Sequence, residues 1–313
     1  MQTRTYGDLF KLISALVGTG GQLATGEQDQ LRHFINRRFQ EAFDESPVWP
    51  RYLVSSEERE VFVLIASGAT ASTSTEVNGN YKILGQDANG FNVYTKGGTS
   101  ADFIYKNVSG QWVVDVFASA TKQSDGSYSV SGGSVQFTEA DSPTTSSPFD
   151  VETWTPRAGS DVLLLEQKGL IPYEQTNKNT IGDFNRIHRK QAFLNNSAIE
   201  YEFFVDFDGA NILNIVNTTD NTAFVTYKKQ FTPFTVTSGY YDSSVEVPGE
   251  FFNYIAHSSY ADFLRVQNKQ EEAIAEEGMA KTYLALELEK IDIRSNNNTI
   301  NKRFSTYVNR QSR

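Results

Sequence analysis

Cysteine is absent from the 313 residues, so disulfides, thiolate metal sites and cysteine nucleophiles are excluded. Methionine occurs twice and histidine three times. The histidines, His33, His188 and His257, stand in no H-E-x-x-H or H-x-H pattern, and no G-x-S-x-G turn supplies a serine nucleophile. The expectation is a protein without catalysis, cofactor or required metal. Long apolar runs are missing too: the longest, Val61 to Ala66, is far short of the ~18 to 20 residues that cross a bilayer. Near the start, Asp8 just before and Lys11 within LFKLISALVG interrupt the apolar stretch, so no secretory leader is expected and the product is read as made in the cytoplasm.

Basic charge is also short, with 28 Lys and Arg against 38 Asp and Glu, a net charge of −10 that argues against a general phosphate-binding surface. The deficit is uneven. Arg294 to Arg313 holds five bases (Arg294, Lys302, Arg303, Arg310, Arg313) and no acids, so a basic tail follows an acidic body. What the chain does have is aromatic rings, 13% of residues, and 22 glycines, a composition suited to pleated surfaces and tight turns.

Helical spacing of Leu9, Leu12, Ile13, Leu16 and Val17 predicts a helix over 5–17, started by Thr5 and Asp8 and stopped by Gly18. A second, over 25–45, carries Leu31, Phe34, Ile35, Arg38 and Phe39, has Arg32, Arg37 and Arg38 on its other face, and ends at Ser46-Pro47. EVFVLIASGA (60–69) reads as a buried strand. Between 76 and 148, short aromatic runs alternate with Asn-Gly, Gly-Gly, Ser-Gly and Asp-Gly turns and end in a Ser/Thr/Pro stretch, which predicts an inserted all-β module. Strands resume over 149–247, among them AIEYEFFVDF and TPFTVTS. Two further helices follow over 248–266, with Phe252, Ile255 and Phe263 on one face, and over 270–291, with Ala273, Ala280, Leu284 and Leu288, broken by Asn296-Asn297-Asn298. The order helix–helix, strands, helix–helix predicts an α+β protein in which both chain ends pair into a helical bundle. Its divisions fall at 1–75, 76–148, 149–247, 248–294 and 295–313, the last a docking tail in which Phe304 and Tyr307 are interleaved with the cations.

Other motifs are weaker. Gly18-Thr19-Gly20-Gly21 follows a helix and lacks the Lys-Ser/Thr of a phosphate loop, and Asp206-Phe207-Asp208-Gly209 lacks the remaining oxygens of a calcium loop. Tyr81, Tyr94, Tyr105 and Trp112 could stack on sugar rings or serve as core; four scattered lysines make carbohydrate the better ligand than nucleic acid.

YGDLFKLISALVGTGG with LRHFINRRFQEAFDESPVWPRYL at one end, and VPGEFFNYIAHSSYADFLRVQNKQEEAIAEEGMAKTYLALELEKI with TYVNRQSR at the other, resemble the head-to-tail adaptor (neck or connector) proteins of tailed bacteriophages. The resemblance implies a dodecameric ring in the neck of the virion. One face meets the portal and the other the tail tube or nozzle, and genomic DNA passes through without specific binding. The segment 295–313 would reach into the portal. The module at 76–148 exceeds a minimal adaptor and resembles small lectin-like β-modules of phage structural proteins, which leaves a carbohydrate-binding tail or receptor-binding protein as the rival reading.

Overall fold

The first helix begins where Thr5 caps it: the Thr5 hydroxyl accepts from the Asp8 N–H and the Asp8 carboxylate accepts from the Thr5 N–H, a reciprocal capping box. β1 (Arg4–Thr5) leads into α1 (Tyr6–Val17), which Gly18 ends in the left-handed conformation, returning its N–H to the Ala15 carbonyl. Gly7 lets the helix approach a neighbouring segment, since a Cβ there would lie 2.6 Å from the Tyr241 carbonyl oxygen. α2 (Thr25–Asp44) starts from Ala24, whose N–H donates to Glu27. In the computed structural model residues 4–18, 22–70, 75–97, 100–140, 147–189, 200–213 and 222–311 are described, with the side chains of the last helix described as far as Ile291.

The chain then leaves this helical unit and returns to it. Residues 54–230 make one compact unit, and residues 1–53 join 231–313 in the other. The protein is therefore mixed α+β, with four helices, large antiparallel sheets and no closed barrel among the described residues.

The β-rich unit contains β2 (Leu53–Glu60), β3 (Phe62–Ser67), β4 (Gly79–Gln86), β5 (Asn92–Thr95), β6 (Ser100–Lys106), β7 (Trp112–Lys122), β8 (Tyr128–Ser131), β9 (Ser134–Glu139), β10 (Trp154–Pro156), β11 (Leu164–Pro172), β12 (Ile181–His188), β13 (Phe203–Asp206), β14 (Gly209–Ile212) and β15 (Thr222–Lys229). One sheet runs β10-β9-β7-β6-β5-β4-β3-β11-β14-β13, with β8 added on β7, and a second runs β12-β15-β2. The strand expected over 60–69 is β3, and the separate strand β2 ends just before it at Glu60. The expected module edges at 76 and 148 fall inside this unit. β4 pairs with β3, setting Leu64 opposite Tyr81, and one apolar cluster joins Tyr81, Tyr94, Trp112 and Phe137 to Leu64, Ile171, Ile187 and Tyr227. Glu139, the first residue of the Ser/Thr/Pro stretch 139–149 expected to close the module as a linker, is buried and accepts the Trp112 N–H at 3.0 Å.

The helical unit resumes at Phe231. TPFTVTS forms no strand: the Asn36 side chain takes both backbone groups of Phe234, donating to its carbonyl at 3.1 Å and accepting its N–H at 2.9 Å. Phe234 then stacks on Phe39 and edges onto Tyr6. β16 (Glu246–Val247) pairs with β1 and leads into α3 (Gly249–Val266) and α4 (Gln270–Gln311). The helix expected to break at Asn296-Asn297-Asn298 runs on for 42 residues. Asparagine costs a helix well under 1 kcal/mol per residue, and no Gly or Pro follows Gly278 to stop it. The core of this unit gathers Tyr6, Leu9, Phe10, Ile13, Leu31, Ile35, Phe39, Trp49, Phe251, Ile255, Phe263, Ala280 and Leu284.

Candidate functional site

Along α2, Leu31, Ile35, Arg38, Phe39 and Ala42 recur at three- and four-residue spacing, so Arg38 shares the buried stripe with apolar neighbours. It lies there because α3 brings up Asp262, itself 4% exposed. The pair is bidentate: Arg38 Nε donates to Asp262 Oδ2 at 2.7 Å and Nη2 to Oδ1 at 2.6 Å. Arg37 and Arg265 add donors to the same carboxylate at 2.5 and 3.0 Å, Glu41 accepts from Arg38 at 2.7 Å, and Glu277 of α4 pairs with Arg265. Burial pushes the Asp262 carboxyl up, but the Arg38 hydrogen bonds and the charges of Arg38 and Arg37 outweigh it and hold the group below the usual carboxylate range. Every charge of the cluster faces a partner, and the Tyr254 hydroxyl donates to Glu41 at 3.2 Å. The cluster joins three helices.

Next to it, His257 Nδ1 lies 2.7 Å from Glu276, with its ring stacked on Tyr283. Ser258 donates to the Tyr254 carbonyl within its own helix. Neither residue meets a second group that would complete a catalytic set.

In the β-rich unit, Arg59 is wholly buried. Its Nη2 donates to the Asn179 carbonyl at 2.5 Å and the Tyr227 hydroxyl at 2.6 Å and lies 2.8 Å from Glu57, whereas Nε and Nη1 meet no partner. Asp115 is buried on β7; its Oδ2 accepts the Tyr105 hydroxyl at 3.2 Å and its Oδ1 meets no partner. Burial raises the Asp115 carboxyl above its ordinary value despite that bond.

An open cleft of about 500 Å³ lies between the β4–β5 and β7–β8 turns. Gln86, Asp87, Asn92, Asp125 and Ser127 supply its polar groups. One oxygen of each aspartate is used by its own turn: Asp87 Oδ1 accepts from Asn89 and Phe91, and Asp125 Oδ1 from the Ser127 N–H and hydroxyl. The Asp-Ala-Asn-Gly and Asp-Gly dipeptide signals mark these turns in the sequence, but nothing there says that the two approach each other.

Of the four rings that could stack on a sugar or serve as core, three are core. Tyr81 and Trp112 are fully buried, Tyr94 is 5% exposed, and Tyr105 is half-buried against Asp115. Trp112 packs against Phe91 and Tyr94, and Tyr94 against Phe149, so protein covers the faces a sugar would need. Of the residues expected to pack between helices, Leu31, Phe39, Phe252, Ile255, Phe263 and Leu284 are buried, while Leu12, Leu16, Phe34 and Leu288 are half-buried. In the tail, Arg294, Lys302, Arg303, Phe304, Tyr307 and Arg310 belong to the helical backbone of α4, their side chains lying outside the described residues, as does Arg313 altogether. Asp206 and Asp208 join no metal-holding group, and none exists among the described residues. No protein-family model, no curated protein and no solved structure matches this chain.

Proposed function

We propose that this chain is a structural head-to-tail adaptor of a tailed bacteriophage, forming a ring of about twelve copies between portal and tail. The observation that carries the reading is that residues from both chain ends share one helical unit while residues 54–230 leave and re-enter it between Leu53 and Phe231. Such a bundle gives one part of the subunit to the portal and the other to the tail. The body, at −15 before Arg294, repels phosphate and suits a conduit that lets DNA slide. The cations of 295–313 supply the portal contact, and no step of catalysis is required.

Carbohydrate binding is the second reading. The polar cleft at Asp87 and Asp125 favours it, while the burial of Tyr81, Tyr94 and Trp112 removes the stacking platform that a lectin-like module would use. Negative-stain microscopy of the full chain, alone and mixed with purified portal rings, tests the first reading. Closed rings with a central opening, seated on portals in the mixture, are expected; portals that remain bare at every ratio overturn it. A glycan array probed with residues 54–230 tests the second.

A further inference from the structure

The sequence contains two Asn-Gly dipeptides, Asn78-Gly79 and Asn89-Gly90, both in the β-rich unit, and the structure treats them oppositely. The dipeptide has a chemistry of its own. The backbone nitrogen after an asparagine can attack the side-chain amide carbon, and a following glycine, with no Cβ, leaves that nitrogen uncovered and the chain free to bring it round. Asn78 is held against this. Its Oδ1 accepts the Ala69 N–H at 3.2 Å and its Nδ2 donates to the Ala69 carbonyl at 2.7 Å, so both ends of the amide are engaged. Gly79 opens β4, paired with Ala66 of β3, and the Lys96 side chain crosses it: a Cβ there would lie 3.1 Å from Lys96 Cε.

Asn89 stands exposed at the tip of the β4–β5 turn, and its side-chain amide meets no partner among the described residues. Only its backbone is tied, the N–H donating to Asp87 Oδ1 at 2.9 Å. Gly90 is exposed too, with no atom within 4 Å of the place a Cβ would take, and its N–H is held by one surface bond of 3.1 Å to the Asp87 carbonyl. The β6–β7 turn repeats the arrangement: Asn107 Oδ1 accepts from the Ser109 and Gln111 N–H groups, and the Gly110 N–H returns to the Asn107 carbonyl. There, however, Val108 follows the asparagine, and its branched Cβ crowds the nitrogen that would attack. The β4–β5 turn is thus the place where an open asparagine, an uncovered glycine nitrogen and solvent meet.

We infer that Asn89 is a site of self-modification, at which the folded protein turns asparagine into isoaspartate and aspartate while Asn78 is preserved. The Gly90 nitrogen attacks Asn89 Cγ, the proton it loses passes through water to the side-chain nitrogen, and that nitrogen leaves as ammonia, closing a succinimide ring. Water then opens the ring. Opening at the backbone carbonyl routes the chain through Cβ as isoaspartate, and opening at Cγ gives aspartate. Either product sets a new carboxylate between Ala88 and Gly90, which line the cleft, and beside Asp87. Isoaspartate also lengthens the backbone by a carbon, which pulls apart the bonds from the Asn89 and Phe91 N–H groups to Asp87 Oδ1 that shape the turn. The cleft of an aged chain therefore differs in charge and outline from that of a fresh one, and the new group is a substrate for methyl transfer from S-adenosylmethionine to an isoaspartyl carboxylate. The inference rests on neither functional reading above.

The test is peptide mapping of the full chain, fresh and after weeks at mildly alkaline pH and physiological temperature. Trypsin cuts at Lys82 and so puts the two dipeptides on separate peptides. The Asn89 peptide should give two new forms, each heavier by the exchange of NH2 for OH, with isoaspartate in excess. Purified isoaspartyl methyltransferase with labelled S-adenosylmethionine should label the aged chain, and Asn89→Gln, whose longer side chain disfavours the ring closure, should lose that labelling. The Asn78 peptide should convert about thirtyfold more slowly, the factor that two hydrogen bonds to be opened first supply. In guanidinium chloride the two should convert at the same rate, because only the fold distinguishes them. An Asn89 peptide that stays intact in the folded chain but converts in denaturant overturns the inference. So does a folded chain in which Asn78 converts as fast as Asn89, or an Asn89→Gln variant labelled as strongly as the wild type.

Discussion

The two units treat their buried arginines, Arg38 and Arg59, differently. In the helical unit Arg38 and Asp262 meet through two short hydrogen bonds, and Arg37, Glu41, Arg265 and Glu277 complete the cluster. In the β-rich unit Arg59 keeps two nitrogens without partners, and so do one oxygen of Asp115 and both side-chain polar atoms of Asn211. Helices approaching side by side can bring long side chains from three elements to one carboxylate, whereas a strand offers its neighbours only every second residue. Compensation makes removal of one partner costly; incompleteness makes removal cheap.

Truncating each cluster should break the two units to different degrees. Asp262→Ala removes the bidentate partner of buried Arg38, leaving Glu41 at 2.7 Å and Glu277 at 4.0 Å, and should cost about 3–5 kcal/mol. Arg59→Met removes a guanidinium already short of partners and keeps the packing of its stem, so about 1–2 kcal/mol is expected. The tryptophans separate the readouts, since Trp49 is buried in the helical unit and Trp112 in the other. Urea unfolding followed through each as the only remaining tryptophan should show Asp262→Ala moving the Trp49 midpoint and Arg59→Met moving the Trp112 midpoint by less. Equal shifts in both would mean that the units unfold as one.

Acid sharpens the contrast. Asp262 is held below its unfolded value, so its stabilisation is complete above about pH 4, the ordinary aspartate range, and is lost as the pH falls through the depressed folded value. Asp115 is raised, so its penalty is present at neutral pH and is relieved as the pH falls through the raised folded value. Between neutrality and about pH 4 the Trp112 midpoint should rise relative to the Trp49 midpoint, and Asp115→Asn should abolish that relative rise. A fall of the Trp112 midpoint in wild type that Asp115→Asn leaves unchanged would assign the acid response to other groups.

How much of this was legible follows the same division. Local rules located the first three helices to within a residue: Thr5 with Asp8 marks the start of α1, Gly18 its end, and the stripe of α3 was readable from Phe252, Ile255 and Phe263. Where partners are distant the reading failed. TPFTVTS has the alternation of a strand, but Asn36, 198 residues away, takes the hydrogen bonds a strand would have made. AIEYEFFVDF alternates over ten residues, yet among its described residues, 200–207, β13 spans Phe203–Asp206 and Glu200 makes an isolated bridge to His188. The cleft at Asp87 and Asp125 needed two turns 38 residues apart to meet, and Arg38, expected on the outer face of α2 with Arg32 and Arg37, is instead buried where Asp262 of α3 reaches it. The break expected at three asparagines gave too much weight to a small propensity cost.

The smallest expected effect concerns backbone strain in β7. Phe117 has φ = 58°, in the left-handed region that bulky residues avoid, and its ring is 73% exposed. The conformation is set by its surroundings. The Phe117 N–H donates to Asp102 at 3.2 Å, and the register between β7 and its neighbours shifts on both sides, near Asp115 against β9 and near Ala101 and Phe103 on β6. Strain here costs about 1 kcal/mol, and so exposed a ring returns little packing energy. Asparagine tolerates the left-handed region without the unfolded-state entropy that glycine adds, so Phe117→Asn should stabilise the β-rich unit by about 0.5 kcal/mol, whereas Phe117→Val should destabilise it. The Trp112 midpoint should move accordingly while the Trp49 midpoint stays fixed. Should Phe117→Asn instead lower the Trp112 midpoint, the exposed ring must be covered in solution, and this bulge would be a contact surface in place of a strained turn.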